Sequence, residues 1–71
     1  MTAADLEFGQ KATIKNIDLN HPSSQRIIEF GFTPGQEIEL LNKTLFNDPI
    51  SISVRGSLIA LRKDDAESIQ I

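Results

Sequence analysis

Apolar and polar residues alternate in several short stretches of this chain, and turn-forming residues separate one stretch from the next. The clearest alternation covers residues 50–54, and it predicts a strand with one buried face. Residues 11–17 and 37–40 alternate in the same way, whereas residues 57–61 carry an apolar run that predicts a strand with contacts on both faces. A last short strand is predicted at residues 68–71, which gives five strands in all.

Glycine and proline residues predict where the turns lie. Pro34 and Gly35 form a turn before the second strand, and Gly56 forms a tight turn that joins two strands into a hairpin over residues 50–61. Residues 42–49 predict a longer loop. Pairing of the last strand with the first would close a small β-barrel, and closure removes exposed sheet edges.

One helix is predicted between the first two strands, at about residues 24–30. Its end is well specified, because Gly31 falls where a left-handed backbone conformation is favoured. Phe32 and Ile27 then occupy the two positions that pack together in a Schellman ending. Helical spacing places Ile27 beside Phe30, which predicts one apolar stripe that faces the barrel.

Two capping boxes predict single helical turns near the two ends of the sequence. Thr2 with Asp5 forms the first box, and Asp64 with Glu67 forms the second. In such a box, each side chain can accept a hydrogen bond from the backbone N–H of the other residue. The predicted fold class is therefore mainly β, a small barrel of five strands with one short α-helix.

Composition limits the partners that the chain can bind. Its 71 residues allow one domain, residues 1–71, and this domain must rely on an apolar core because the sequence has no cysteine. The net charge of -3 argues against nucleic acid, since phosphate contacts need clustered Lys and Arg. No apolar run has the length of a membrane helix and no export signal is recognised, so we expect a cytoplasmic location without membrane insertion.

Catalytic and metal chemistry find little support in these residues. His21 is the single histidine and stands next to Pro22, where an exposed loop position is favoured over a catalytic role. The carboxylates that occur in pairs are interpreted as solvated charges or caps: Glu37, Glu39, Asp64, Asp65 and Glu67. With no thiolate and one imidazole, we expect no high-affinity zinc or ferrous site and no cofactor, while a weak carboxylate site for a hard cation stays open.

Several of these segments, taken in order, resemble the FeoA family, named for ferrous iron transport protein A. Residues 26–35 resemble the helix and turn of that family, where an arginine and a bulky apolar residue precede glycine, an apolar residue and Pro-Gly. Residues 47–50 resemble its turn before a strand, and residues 55–62 resemble the next hairpin. The opening residues 6–14 and the closing residues 66–71 fit as well, so the resemblance covers essentially the whole chain.

The resemblance implies an SH3-like barrel in which Asp48 and Pro49 form the turn before a strand. It also implies a cytoplasmic role accessory to FeoB, a ferrous iron transporter that is a membrane protein with a GTPase domain. It implies neither catalysis nor a metal site. SH3 domains bind polyproline helices in a groove lined by aromatic residues, and the absence of Trp and Tyr argues against such a groove here.

Three residues are candidates for contact with a partner protein: Leu45, Phe46 and Leu58. Phe46 departs from the small or proline-containing stretch that is usual in the family. One alternative is that Leu45 and Phe46 plug an end of the barrel, in which case truncation would cost about 2–5 kcal/mol of stability. The other is that at least one of them anchors a partner, since a few large side chains carry most interface energy. Leu58 favours the second alternative, because its strand is apolar on both faces.

Two functions remain as hypotheses. The first is a cytoplasmic accessory or regulatory protein of ferrous iron uptake that binds the FeoB transporter and is not an enzyme. The alternative is a stand-alone SH3-like domain that senses a divalent metal ion directly. Metal titration separates the two, and capture on the cytoplasmic domain of the transporter would support the first.

Overall fold

The computed structural model describes residues 1–44 and 49–71 of the chain. The elements in chain order are a 3₁₀ turn (Ala3–Asp5), β1 (Lys11–Thr13), β2 (Asn16–Ile17), α1 (Ser24–Glu29), β3 (Glu37–Lys43), β4 (Ile50–Val54), β5 (Ser57–Leu61), α2 (Lys63–Ala66) and β6 (Ile69–Gln70). The predicted mainly β character is therefore confirmed. None of these helices is long and apolar enough to cross a lipid bilayer.

Four strands form one antiparallel sheet in the order β1-β3-β4-β5, and β2 pairs with β6 in a second, two-stranded sheet. The predicted hairpin is confirmed, since β4 and β5 pair along their length with Val54 opposite Ser57. Arg55 and Gly56 between them have φ values of 52° and 80°. Positive φ at both central residues is typical of the turn that matches the twist of a two-residue hairpin.

The predicted strand over residues 11–17 divides in two, which raises the strand count from five to six in the described part of the chain. Consecutive N–H groups of an extended chain point to opposite sides. Ile14 donates to Gln36 O at 2.9 Å and Lys15 donates to Gln70 O at 2.7 Å, so the chain leaves one sheet and enters the other. The last strand pairs with β2, the second half of the predicted first strand, but among the described residues the two sheets stay separate and do not close into a continuous barrel.

β3 extends beyond its predicted end at Leu40 and reaches Lys43. A register shift between Leu40 and Asn42 lets the pairing continue, with Asn42 opposite Ser51. Such a bulge adds one residue and interrupts the alternation of apolar and polar positions. The predicted loop over residues 42–49 therefore begins only after Lys43.

One connected apolar core lies between the two sheets and the short helices. Its buried members come from nearly every element: Ala3, Ala4, Leu6, Ile14, Ile17, Ile27, Phe32, Ile38, Leu40, Ile50, Ile52, Val54, Leu61, Ala66 and Ile69. The two-stranded sheet contributes Ile17 and Ile69, which lie opposite each other. Next to this pair, Ile71 N–H donates to Met1 O at 3.0 Å.

The predicted helix is confirmed as α1, and its ending is the predicted Schellman motif. Gly31 has a φ of 109°, its N–H donates to Ile28 O at 2.9 Å, and Phe32 N–H donates to Ile27 O at 3.3 Å. Ile27 and Phe32 are fully buried, but Phe30 is 42 % exposed, so the predicted stripe of Ile27 and Phe30 is wrong. The backbone reversal after Phe30 brings Phe32 into the core, and Ile28 packs against that core instead.

The first predicted capping box is confirmed and the second is wrong. Thr2 N–H donates to Asp5 Oδ2 at 2.9 Å at the start of the 3₁₀ turn. Asp64 lies inside α2, whose N-cap is Arg62 without a side-chain hydrogen bond, so Asp64 and Glu67 form no box. The Asp64 carboxylate lies beside an imidazole from another part of the chain, and this tertiary contact replaces the local cap.

Candidate functional site

An open groove of about 340 Å³ lies between α1 and β5. α1 contributes Arg26 and Phe30, which are one helical turn apart and therefore share a side of the helix. Ala60, Leu61 and Arg62 line the strand side. The volume is at the lower end of the range for ligand-binding clefts, which suits a few side chains of a partner protein.

Two contacts link α1 to the residues that flank β5. At one end, Arg26 Nη2 lies 3.3 Å from Asp65 Oδ2, which joins α1 to α2 directly after β5. At the other end, the Arg55 side chain covers Gly31, where an added Cβ would lie 3.0 Å from Arg55 Cδ. Because Arg55 precedes β5 and Asp65 follows it, α1 and β5 pass each other in opposite directions.

Two large apolar side chains are exposed at this surface. Phe30 is partly exposed inside the groove, and Leu58 is 61 % exposed. Leu58 lies two residues before Ala60 and therefore shares its face of β5. The exposure of Leu58 makes it available to a partner, and its role as a contact residue stays a prediction.

The remaining predicted residues fall into two groups. Three of them lie outside the described residues: Leu45, Phe46 and Asp48. The others lie in turns or bends: Gly31, Pro34, Gly35, Pro49 and Gly56. The three glycines of this second group have φ values of 109°, 92° and 80°, which fit turn positions that favour glycine. Pro49 also lines the groove, next to the start of β4.

A second cluster of side chains links the loop before α1 to α2. His21 Nε2 lies 3.3 Å from Asp64 Oδ2, and the imidazole is only 13 % exposed, so the predicted exposed position of His21 is wrong. Asp65 is buried and pairs with Arg26, which corrects its interpretation as a solvated charge. The two consecutive aspartates of α2 thus bind two different partners, and the one-turn helix holds them in place.

This cluster has the composition of a weak metal site, because ligand atoms of His21, Asp64 and Asp65 lie within 4.8 Å of one another. Its hydrogen bonds argue against metal binding. Ser23 N–H donates to His21 Nδ1 at 3.1 Å, so Nδ1 supplies a lone pair and Nε2 carries the proton that faces Asp64. A metal ion would have to displace that proton and compete with Arg26 for Asp65.

Zinc and ferrous iron are therefore expected to bind this chain no tighter than the high micromolar range. The cluster offers one imidazole and no thiolate, and its ligand atoms already have protein partners. Calorimetry on the tag-free chain at neutral pH measures the affinity, and His21→Gln is the control that removes the imidazole. Submicromolar binding that His21→Gln abolishes would contradict this expectation and identify the cluster as a metal site.

Sequence reasoning did not identify Arg26, Phe30 and Arg62 as groove residues. A signal for them exists in the spacing. Arg26 and Phe30 lie four residues apart on the predicted helix, and Arg62 follows Ala60 at the two-residue period of a strand. The spacing does not predict where the helix lies relative to the strand, because that position depends on the contacts of Arg55 and Asp65.

Known proteins are similar to this chain over its full length. The FeoA domain family model matches residues 1–71. A candidate Fe(2+) transport protein A of Campylobacter jejuni is 31 % identical over 71 residues, which are 100 % of this chain and 96 % of that protein. An Fe(2+) transport protein A/Fe(2+) transporter FeoB fusion protein of Porphyromonas gingivalis is 27 % identical over 71 residues, which are 100 % of this chain and 8 % of the fusion.

A solved structure confirms the class of fold. The crystal structure of FeoA from Stenotrophomonas maltophilia, an SH3 domain protein complexed with zinc, has a TM-score of 0.87 to this chain. The two sequences are 25 % identical, and the match covers 97 % of this chain and 86 % of that one. The two sheets and short helices described above are therefore an SH3-like fold.

Proposed function

Because this chain belongs to the FeoA family, which is associated with ferrous iron transport, we propose that it is a non-catalytic accessory protein that binds a FeoB-type transporter. In this proposal the chain works in the cytoplasm, and the groove between α1 and β5 is the contact surface. The observation that carries it is the Porphyromonas gingivalis protein, in which an FeoA-like segment and a FeoB transporter form one polypeptide.

The fusion supports a direct contact for a physical reason. A covalent link holds two domains at an effective concentration of about the millimolar range, so even a weak contact between them is occupied. A separate chain has no such link and must bind through its own surface. The expected surface contains exposed apolar anchors and charges that complement the partner.

The groove and the adjoining face of β5 offer both kinds of feature. Phe30 and Leu58 are large apolar side chains with exposed surface, which suits anchors that become buried on binding. Arg26 and Arg62 line one end of the groove with Asp65, so two positive charges stand there against one negative charge, although the whole chain has a net charge of -3. An acidic, partly apolar segment of the transporter would therefore complement this surface.

Phe30→Ser and Leu58→Ser are each expected to weaken binding to the cytoplasmic domain of the FeoB-type transporter by about 30-fold. Truncating a central anchor costs about 2 kcal/mol of binding energy, and this corresponds to such a factor. Stability should change little, because both side chains are partly or largely exposed. Calorimetric titration of the purified domain with each variant measures the effect.

Phe8→Ser and Leu19→Ser are the matched controls. The two side chains are 77 % and 72 % exposed, and neither lies on α1 or β5, so their loss should leave the affinity unchanged. Equal weakening by all four substitutions would mean that the binding is a nonspecific apolar contact. If the unmodified chain does not bind the transporter domain, the proposed function is wrong.

Direct sensing of a divalent metal ion is the second candidate function. It is supported by the His21, Asp64 and Asp65 cluster and by the zinc in the Stenotrophomonas maltophilia structure. The hydrogen bond from Ser23 to His21 favours the accessory role instead, since it leaves the proton on the nitrogen that would bind the ion. The zinc titration described above decides between the two functions.

A further inference from the structure

We propose that β5 binds an extended segment of its partner as an added strand, in the groove between β5 and α1, and that this segment is apolar in its middle and carries acidic residues at its ends. The inference rests on the proposed function, because it specifies how the partner engages the same surface. Three features carry it: the direction of backbone groups in β5, the composition of this sheet edge, and the charges around the groove.

Two residues of β5 direct their backbone N–H and C=O groups away from the sheet. A two-residue hairpin closes with a hydrogen-bonded pair, here Val54 and Ser57, and bonded and non-bonded pairs then alternate along the ladder. Leu58 and Ala60 therefore occupy non-bonded positions, and their backbone groups face the open side of β5. In the described part of the chain β5 is the last strand of its sheet, so a new strand can pair there.

The two edges of this sheet differ in their protection against such pairing. β1, at the opposite edge, is only three residues long and carries Lys11, and short charged edges discourage the addition of another strand. β5 is five residues long, its residues 58–61 are all apolar, and its pairing with β4 is regular. An apolar edge without charge, proline or bulge is one that proteins ordinarily cover.

α1 forms the second wall for the added strand. Phe30 and Leu61 line the groove, so alternate side chains on one face of the incoming strand would pack against them. Its main chain would bond to Leu58 and Ala60. Strand addition to a sheet edge is an established mode of peptide recognition, in which main-chain bonds give affinity and pockets for alternate side chains give specificity.

The charges around the groove favour an acidic segment. Arg26 makes its ion pair with Asp65 through one nitrogen, and its side chain remains 60 % exposed. Since a guanidinium has five N–H donors, Arg26 can bind a second carboxylate. Arg62 is exposed at the same end, and Arg55, which precedes β5, covers Gly31 at the C-terminal end of α1. A strand with acidic residues at its ends would meet positive charge at both.

A peptide probe tests strand addition directly. The probe is a short synthetic peptide with blocked ends, in which glutamates flank a run of valines. Two-dimensional NMR of the isotope-labelled chain is expected to show shifts concentrated at the amides of Leu58 and Ala60, and slower hydrogen exchange of both amides when the peptide is bound. N-methylation of the peptide amides that face β5 should weaken binding by about tenfold, and lysine in place of glutamate by a similar factor.

Ala60→Pro is the matching change in the chain. It removes one outward N–H but keeps the bonds between β4 and β5, since proline is tolerated at edge positions that face away from the sheet. Affinity for the valine-glutamate peptide and for the transporter domain should fall by about tenfold or more. Thr13→Pro is the control at the other edge. Ile14 donates to Gln36, the residue directly before β3, so the preceding N–H, that of Thr13, points outward and its loss should not change binding.

The outcomes separate this inference from the proposed function. If Ala60→Pro folds and binds the transporter domain as tightly as the unmodified chain does, strand addition is wrong and the proposed function stands. If Ala60→Pro does not fold, the inference is tested by the affinity of the unmodified chain for the probe peptide and for its N-methylated form. Equal affinity for these two peptides overturns the inference. A dimer in sedimentation that Ala60→Pro converts to monomer would show that a second copy of this chain occupies the edge, which also overturns it.

Discussion

Phe32→Ala is expected to destabilise this chain by about 3–5 kcal/mol, the usual cost of removing a fully buried phenylalanine side chain. Among residues 1–44 and 49–71, Phe32 is the largest fully buried residue, and it lies where the chain turns back from α1 into the core. A chain of 71 residues has a total stability on the order of 4–10 kcal/mol, so the substitution removes a large share of it. Urea denaturation followed by circular dichroism measures the change.

Phe30→Ala is the matched control, because it removes the same side chain from a position two residues earlier. Phe30 is partly exposed and lies outside the core, so its loss should cost less than about 1 kcal/mol of stability. The two substitutions together test whether the Schellman ending assigns one phenylalanine to the core and the other to the groove. A similar loss of stability for both would show that Phe30 is a core residue and would remove it from the candidate site.

Gly31→Ala is expected to cost about 1–3 kcal/mol of stability, because its φ of 109° is one that side chains with a Cβ rarely adopt. The hydrogen bonds from Gly31 and Phe32 to the last turn of α1 depend on this conformation. The added Cβ would also lie 3.0 Å from Arg55 Cδ, so the arginine side chain would have to move. Thermal and urea denaturation measure the loss.

Gly35→Ala separates backbone strain from this contact. Gly35 has a φ of 92°, and an added Cβ there would meet no atom within 4 Å. Any extra cost of Gly31→Ala over Gly35→Ala should disappear in the double variant with Arg55→Ala, since the side chain that the Cβ meets is then absent. An unchanged melting temperature for Gly31→Ala would contradict the helix ending itself.

Features that depend on neighbouring residues could be predicted from the sequence. The hairpin of β4 and β5 follows from the alternation before Gly56, and the end of α1 follows from Gly31 and Phe32. The division of the strand over residues 11–17 could not be predicted in this way. It depends on Gln36 and Gln70, which are distant in the sequence and accept hydrogen bonds from consecutive N–H groups.

The candidate site shows the same division between local and distant information. Leu58 could be proposed as a contact from its apolar strand, and the structure exposes it. The buried position of Asp65 could not be inferred, because the sequence Asp64-Asp65 before Glu67 is equally typical of a helix cap. Its burial depends on Arg26 from α1, and the same contact forms one end of the groove.

The pairing of β2 with β6 has a consequence for how the whole chain melts. It joins segments that are far apart in the sequence, and Ile17 and Ile69 in this pair belong to the same core as the four-stranded sheet. Opening the small sheet would therefore expose side chains that the large sheet also needs. We expect unfolding to be cooperative and two-state. The amides of Ile17 and Ile59 should then lose their protection against hydrogen exchange at the same denaturant concentration. The groove and the paired terminal segments would then unfold in one and the same transition.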